Sequence, residues 1–221
     1  MKPKHTVTLD CGSGFGRPSF HFAGYLQSLS LGIEIDPNLF LCSMKNLTKA
    51  ASLCSQDGVP LPPVGFISGS IMQLKTLDGI DLVYSFDCLF PPMLLKHMAV
   101  LFNNSSTAKT LVSFNNKQCL ENAGYERLRL KAKIPVRMTG SSEGKTAYIY
   151  VKQLKQGRKE GCLSNSGITT DINEVDPLFR KQFDLYLSGE LDERNGSIDV
   201  KSFCSPRKLR LRARNSKNSP L

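Results

Sequence analysis

Short apolar runs and amphipathic stretches take turns along the first half of the chain. Residues 6–9 are brief and rich in β formers, 17–28 carry helical spacing, and 30–35, SLGIEI, form an apolar run ending in acids. A second helical stretch, 37–50, opens with Pro37 in its first turn. Beyond a proline-rich loop at 58–63, VGFIS and GIDLVYSF read as strands, 92–103 as a helix and KTLVSF as another buried strand. Short apolar strands separated by helices predict parallel pairing in a doubly wound sheet.

The pattern then changes. GYERLRLKAKI and KTAYIYVKQL alternate apolar and polar positions around the loop PVRMTGSSEG, as an antiparallel pair does. Alternating α/β units closed by such a hairpin are the order typical of class I methyltransferases, a Rossmann-like fold; a plain dinucleotide-binding domain usually lacks the last pair. From residue 154 onward the pattern degrades, although DPLFRKQFDLYLSGEL has the spacing of one amphipathic helix carrying Phe179, Phe183, Leu185 and Leu187. The expected organisation is a catalytic domain over 1–153 and an extension over 154–221.

Composition narrows the class. With 221 residues, 40% hydrophobic and 22% charged, the chain suits one globular domain with an appended segment. No apolar run approaches the roughly 20 residues of a membrane span, so no membrane partner is expected. The opening MKPKHTVTLD has neither a long apolar core nor a cleavage site, which predicts an intracellular protein. The seven cysteines are scattered with no C-x-x-C pair, and read as reduced thiols, mostly in the core, with no metal. Six of the net ten positive charges lie in the last seventeen residues, 205–221, a basic tail that reads either as a solvated end or as an arm for nuclear import or nucleic-acid contact.

The chemistry begins at LDCGSGFG. After a strand, Gly12, Gly14 and Gly16 permit a sharp turn and the approach of a ligand to main chain, with Asp10 ahead of them and Ser13 between. Glu34, eighteen residues past Gly16 at the end of the next strand, stands where a carboxylate accepts hydrogen bonds from both hydroxyls of a ribose. Asp36 reads as a helix cap. Glycine loop, strand-end acid and terminal hairpin together fit S-adenosyl-L-methionine better than NAD or FAD. The adenine is expected beside the loop in ISGSIM, at Ser70 and Ile71.

The fourth strand leads into YSFDCLFPPMLL, which places Asp87 and Phe90 near the carboxyl edge of the sheet, where ligands bind. An amine attacking a methyl group must be aligned and uncharged, whereas lysine in water has a pKa of about 10.4. A polar acceptor at Asp87 within an apolar channel walled by Phe90, Tyr148 and Tyr150 would serve; capping the helix that begins near Pro91 is the alternative for Asp87, and packing in the core the alternative for the two tyrosines. His21 reads as a packed core residue and His97 as a surface one.

Several segments agree on a family. LDCGSGFGRPSFHFA, LGIEIDPNLFLCSMKNL, VYSFDCLFPP, FNNSSTAKTLVSF and GYERLRLKAKIPVRMTGSSEGKTAYIY occur in order over residues 6–153 and resemble the catalytic core of the histone-lysine methyltransferase family named for disruption of telomeric silencing, in its protist branch. The resemblance implies a class I fold rather than a SET domain, and methylation of a core lysine of histone H3 in nucleosomes. It implies a nuclear protein whose tail at 205–221 contacts DNA. It places Gly12, Ser13, Gly14 and Gly16 along the methionine part of the donor and Glu34 on its ribose. Asp87 falls where well-studied members carry an asparagine that contacts the substrate amine. Members also have a helical lid ahead of the glycine loop, where this sequence has nine residues before Asp10. Two other readings stay open: a methyltransferase acting on RNA or another protein, and a degenerate cofactor-binding scaffold.

Overall fold

The computed structural model describes residues 6–26, 28–137, 144–153 and 176–180. In chain order the elements are β1 (Val7–Cys11), α1 (Arg17–Leu26), β2 (Leu29–Glu34), α2 (Pro37–Gln56), β3 (Val64–Ser68), a 3-10 turn (Ile71–Gln73), β4 (Leu82–Ser85), α3 (Pro92–Asn104), β5 (Thr110–Ser113), α4 (Lys117–Asn122), β6 (Leu128–Arg137) and β7 (Gly144–Lys152). The seven strands form one sheet in the order β3-β2-β1-β4-β5-β7-β6. The first five pair in parallel, and β7 runs antiparallel to both β5 and β6. This is the α/β, doubly wound arrangement with a terminal antiparallel hairpin that the hydrophobic pattern predicts.

Burial explains the order. Every residue of β1 and β2 is buried, as befits central parallel strands covered on both faces. Val64 and Phe66 pack with Ala23, Phe20, Phe40, Met44 and Leu47, whereas Ile67, one residue on, packs into the larger cluster of Leu9, Leu31, Ile33, Val83, Leu111 and Phe102. Neighbouring strand residues point to opposite faces, so α1 and α2 cover one side and α3 the other. Asp36 caps α2 by accepting from Asn38 N at 2.7 Å and Leu39 N at 3.3 Å, with Pro37 following it. At the other end of the sheet, Lys152 closes α3: its Nζ donates to Phe102 O and, at 2.7 Å, to Ser105 O, two carbonyls at a helix C-terminus.

Residues from the later part of the chain contribute to this core. Residues 177–180 are helical, Phe179 is 1% exposed within the large cluster, and the Asp176 carboxylate accepts from Lys75 N at 2.6 Å and Thr76 N at 3.2 Å. Phe183, Leu185 and Leu187, expected on the same helix, lie outside the described residues, as does the basic tail. Of the five described cysteines only Cys11 is buried, so the expectation of core thiols holds there alone; the others sit at helix surfaces and loops. Among the described residues no helix is long and apolar enough to cross a membrane, and no cluster of His, Cys, Asp and Glu is arranged to hold a metal.

Deleting the Phe179 ring leaves a cavity in the main core. Phe179→Ala is expected to lower the unfolding free energy of the full chain by about 3–5 kcal/mol in urea denaturation. An unchanged midpoint would contradict the docking of residues 176–180.

Candidate functional site

The loop after β1 is shaped by glycine conformation. Gly12, Gly14 and Gly16 have φ of 73°, 53° and 79°, the left-handed region that L-residues enter at a cost. Crowding acts at Gly16 as well, where a Cβ would lie 2.3 Å from the Phe66 ring. At Gly14 nothing stands within 4 Å of the Cβ position, so this side of the loop faces open space.

The loop is tied to β2 almost completely. Gly12 N and Ser13 N both donate to Ile33 O at 3.0 and 3.1 Å, Gly16 N donates to Ser13 O at 2.8 Å, and Gly14 N donates to Glu34 Oε2 at 2.8 Å. The other carboxylate oxygen, Oε1, accepts from Asp36 N at 2.8 Å. Glu34, 6% exposed, therefore holds the glycine bend and the start of α2 together. The loop thus offers a ligand clearance rather than a row of free N–H groups. Each Glu34 oxygen retains a lone pair beyond its single N–H bond. Ser13 Oγ is buried without a hydrogen-bond partner among the described residues, an unassigned donor beside the bend.

Asp10 lies behind this surface. It is 1% exposed and accepts from Ser19 Oγ at 2.7 Å, which fastens β1 to α1. Burial raises its pKa from 3.8 to about 7, with the nearby Glu34 carboxylate adding to the shift and the Ser19 hydrogen bonds opposing it. After β3, the Ser70 hydroxyl caps the 3-10 turn by accepting from Met72 N at 3.2 Å, while Ser70 N donates to Gln73 Oε1 at 2.8 Å. Ile71 is buried in the core. At this turn the exposed apolar group is Met72.

Asp87 stands near the start of the loop after β4, but its carboxylate turns inward. It is 1% exposed; Oδ2 accepts from Ser113 Oγ at 2.6 Å and Oδ1 from Phe114 N at 2.9 Å, both at the end of β5. Its backbone carbonyl accepts from Asn115 Nδ2 at 3.1 Å and from Phe90 N at 3.1 Å. Burial raises the Asp87 pKa, against these hydrogen bonds. The α3 N-cap is Pro91, without a side-chain bond, so Asp87 is not the cap of that helix.

The two tyrosines divide between core and surface. Tyr150 is fully buried and donates to Asn115 O at 3.1 Å, a second fastening of the same corner rather than a channel wall; its phenol is pushed up to about 12 by burial. Tyr148 stacks on it at 6.1 Å between centroids and is half-buried, with Lys133 Nζ 5.9 Å from its ring. Phe90 is half-buried and reaches back to the glycine loop, where a Cβ on Gly12 would be 3.2 Å from its Cζ. The structure thus gathers Gly12, Ser13, Gly14, Glu34 and Phe90 around one bend. Asp87 and Tyr150 join Ser113 and Asn115 in a buried scaffold beneath the neighbouring corner. Sequence spacing pointed to neither Ser113 nor Asn115, because their partner lies 26 or more residues earlier.

His21, expected in the core, is exposed and stacks on Tyr25 at 5.6 Å. It lines a groove of about 260 Å³ with Phe15, Arg17, Phe20, Asn46 and Ala50, between α1 and α2. The helical spacing of 17–28 did not distinguish this outer stripe from the packed one. His97 is half-buried, with Nε2 3.1 Å from Leu74 O.

No protein-family model matches the chain, and no curated protein matches it. Among solved structures, the chain is similar to the magnesium protoporphyrin IX methyltransferase of Synechocystis PCC 6803 with bound SAM. The TM-score is 0.51 and the identity 16%, over 67% of this chain and 71% of that one. It is similar at TM-score 0.43 and 22% identity to an RNA methyltransferase from Salinibacter ruber in complex with S-adenosyl-L-homocysteine, over 69% of this chain and 85% of that one. The first likeness and the strand order establish the fold as that of class I methyltransferases.

Asp10 carries a pH signature. Folded, it holds its proton up to about pH 7, whereas the unfolded side chain releases it near 3.8, so between those values the native state binds more protons and stability declines as pH rises. Asp10→Asn keeps an acceptor for Ser19 and removes that decline. Urea midpoints at about pH 5 and about pH 8 should therefore lie closer together in the variant than in the parent; superimposed profiles would contradict a proton on Asp10.

Proposed function

We propose that the chain binds S-adenosyl-L-methionine and methylates a lysine side chain, with a core lysine of histone H3 in nucleosomes as the substrate. The observation that carries the donor assignment is the Glu34–Gly14 unit: a strand-end carboxylate 2.8 Å from the N–H of a bend whose outer side is open. This unit stands at the carboxyl ends of β1 and β2, next to the switch point where β1 also pairs with β4, the place at which open α/β sheets take ligands. The residues present fit the donor. Glu34 has acceptor capacity for ribose hydroxyls, Gly14 leaves room for the methionine portion, Ser13 Oγ is an unpartnered donor and Met72 an apolar contact for the base.

When bound, the donor supplies a sulfonium methyl group open to in-line attack. This chain's residues then have three tasks: alignment, exclusion of water and control of the amine proton. Phe90 and Tyr148 give the approach apolar walls, which disfavour the charged ammonium. Asp87 acts as a positioning residue in this reading. Through Ser113, Phe114 and Asn115 it fixes the ends of β4, which leads into the loop bearing Phe90, and of β5, whose Ser113 pairs with Tyr148 of β7. The histone assignment draws its support from the ordered motifs over residues 6–153 and from the basic tail.

Gly14→Ala separates the donor site from the fold. Its new Cβ meets no atom within 4 Å, so only the left-handed backbone opposes it, costing roughly 1–2 kcal/mol in urea denaturation. Donor affinity in calorimetry is expected to fall by tenfold or more, beyond that fold penalty; equal affinity would contradict the site. In a labelled-donor assay with nucleosomes, free histones and total RNA, label is expected on nucleosomal H3. Label on RNA alone would overturn the substrate, and donor binding without transfer to any of them would overturn the enzymatic reading.

A further inference from the structure

The described hairpin outruns the sheet that bears it. β5 ends at Ser113, opposite Tyr148, but the β6–β7 ladder continues through Ile134↔Ala147, Pro135↔Thr146, Val136↔Lys145 and Arg137↔Gly144. Four register pairs therefore stand beyond the carboxyl edge as a free two-stranded ribbon, about 13 Å long at roughly 3.3 Å per residue. The ribbon rises beside the loop after β4, since Lys145, opposite Val136 in its outer half, is close enough for its charge to act on Cys88.

Charge is concentrated along the hairpin that carries this ribbon, most of it on β6 below the four free pairs. Between residues 128 and 152 the sequence has six cations (Arg129, Lys131, Lys133, Arg137, Lys145 and Lys152) and one acid, Glu143. The tail at 205–221 holds six of the net ten positive charges and the hairpin five, so the rest of the protein is net negative by one. Arg129, Lys131, Lys133 and Arg137 are all exposed on the sheet's outer strand, and none forms a salt bridge within 4 Å among the described residues, where the Lys117–Glu121 pair is the ion pair found. A register shift between Leu130 and Ala132 leaves Lys131 as an extra residue, so the cations do not all fall on one face. Ile134 is 43% exposed and Pro135 is exposed near the tip.

We propose that this ribbon and the outer strand β6 leading into it are a docking surface for duplex DNA. Two strands about 4.8 Å apart form a ribbon of the width that the major groove admits, and Arg137 on the ribbon, with Arg129, Lys131 and Lys133 along the outer strand below it, can meet the phosphates that border that groove. Exposed Ile134 offers apolar contact of the kind made with thymine methyl groups. Bound so, DNA lies beside the corner formed by Phe90 and Tyr148. The inference goes beyond the donor-and-lysine reading and does not depend on it.

The full chain is titrated into a fluorescein-labelled mixed-sequence duplex of about 20 base pairs, followed by anisotropy from about 50 to 200 mM NaCl. The parent is compared with a ribbon variant (Arg129→Gln, Lys131→Gln, Lys133→Gln and Arg137→Gln together) and with a tail variant neutralised at its six cations. The ribbon variant is expected to bind tenfold or more weakly at about 0.1 M salt, and, at roughly 0.9 per phosphate contact, to lose up to about 3.6 units from the slope of log K against log salt. It should keep the parent's melting temperature, because its four sites are exposed. Unchanged affinity and slope, with all loss in the tail variant, would overturn the proposal and leave the edge cations as a deterrent to strand pairing. Tighter ribbon-dependent binding to single-stranded RNA of the same length would overturn duplex DNA as the occupant. Calorimetry with S-adenosyl-L-methionine on the same variants keeps the donor reading separate: its failure there leaves the DNA result standing.

Discussion

The contact between the Glu34 carboxylate and the N–H of Gly14 is the constraint on which the site depends. A buried carboxylate requires hydrogen-bond donors, and a turn of three left-handed glycines has N–H groups that need acceptors. Each supplies what the other lacks, at 2.8 Å, and the second oxygen sets the start of α2 through Asp36 N. The cofactor seat proposed here is thus built before any ligand arrives. Preorganisation of this kind lowers the ordering cost of binding.

A second layer of the same logic supports the substrate corner. Asp87, Ser113, Asn115 and Tyr150 form a chain of hydrogen bonds, buried at Asp87–Ser113 and part-buried at Asn115, that clamps the ends of β4 and β5. The polar groups of this corner face inward, and what they leave toward solvent is Phe90, the fully exposed side of Leu89 at 89%, and Met93 at 70%. An apolar outer surface on a polar scaffold suits the proposed substrate, an amine that must give up its charge.

Much of the fold was legible because its strands are short, apolar and separated by helices with clear starts such as Asp36-Pro37. The terminal hairpin was legible from the alternation in GYERLRLKAKI and KTAYIYVKQL. Helix α4 was not, since six polar-rich residues carry too few turns for a period to register. The glycine bend and Glu34 could be singled out by residue type and spacing. The inward turn of Asp87 could not, because it depends on Ser113, which no local pattern links to it. The free length of the ribbon was hidden for a similar reason: it follows from where β5 stops relative to β7, a property of register rather than of either strand's sequence.

The central claim, that the Glu34-bound glycine bend seats the donor, is tested most directly by a crystal structure of the full chain grown with S-adenosyl-L-homocysteine. The account predicts both ribose hydroxyls within hydrogen-bond distance of Glu34 and the homocysteine chain running along the open side of Gly14. Density for the ligand elsewhere, with Glu34 contacting only Gly14 and Asp36, would contradict it.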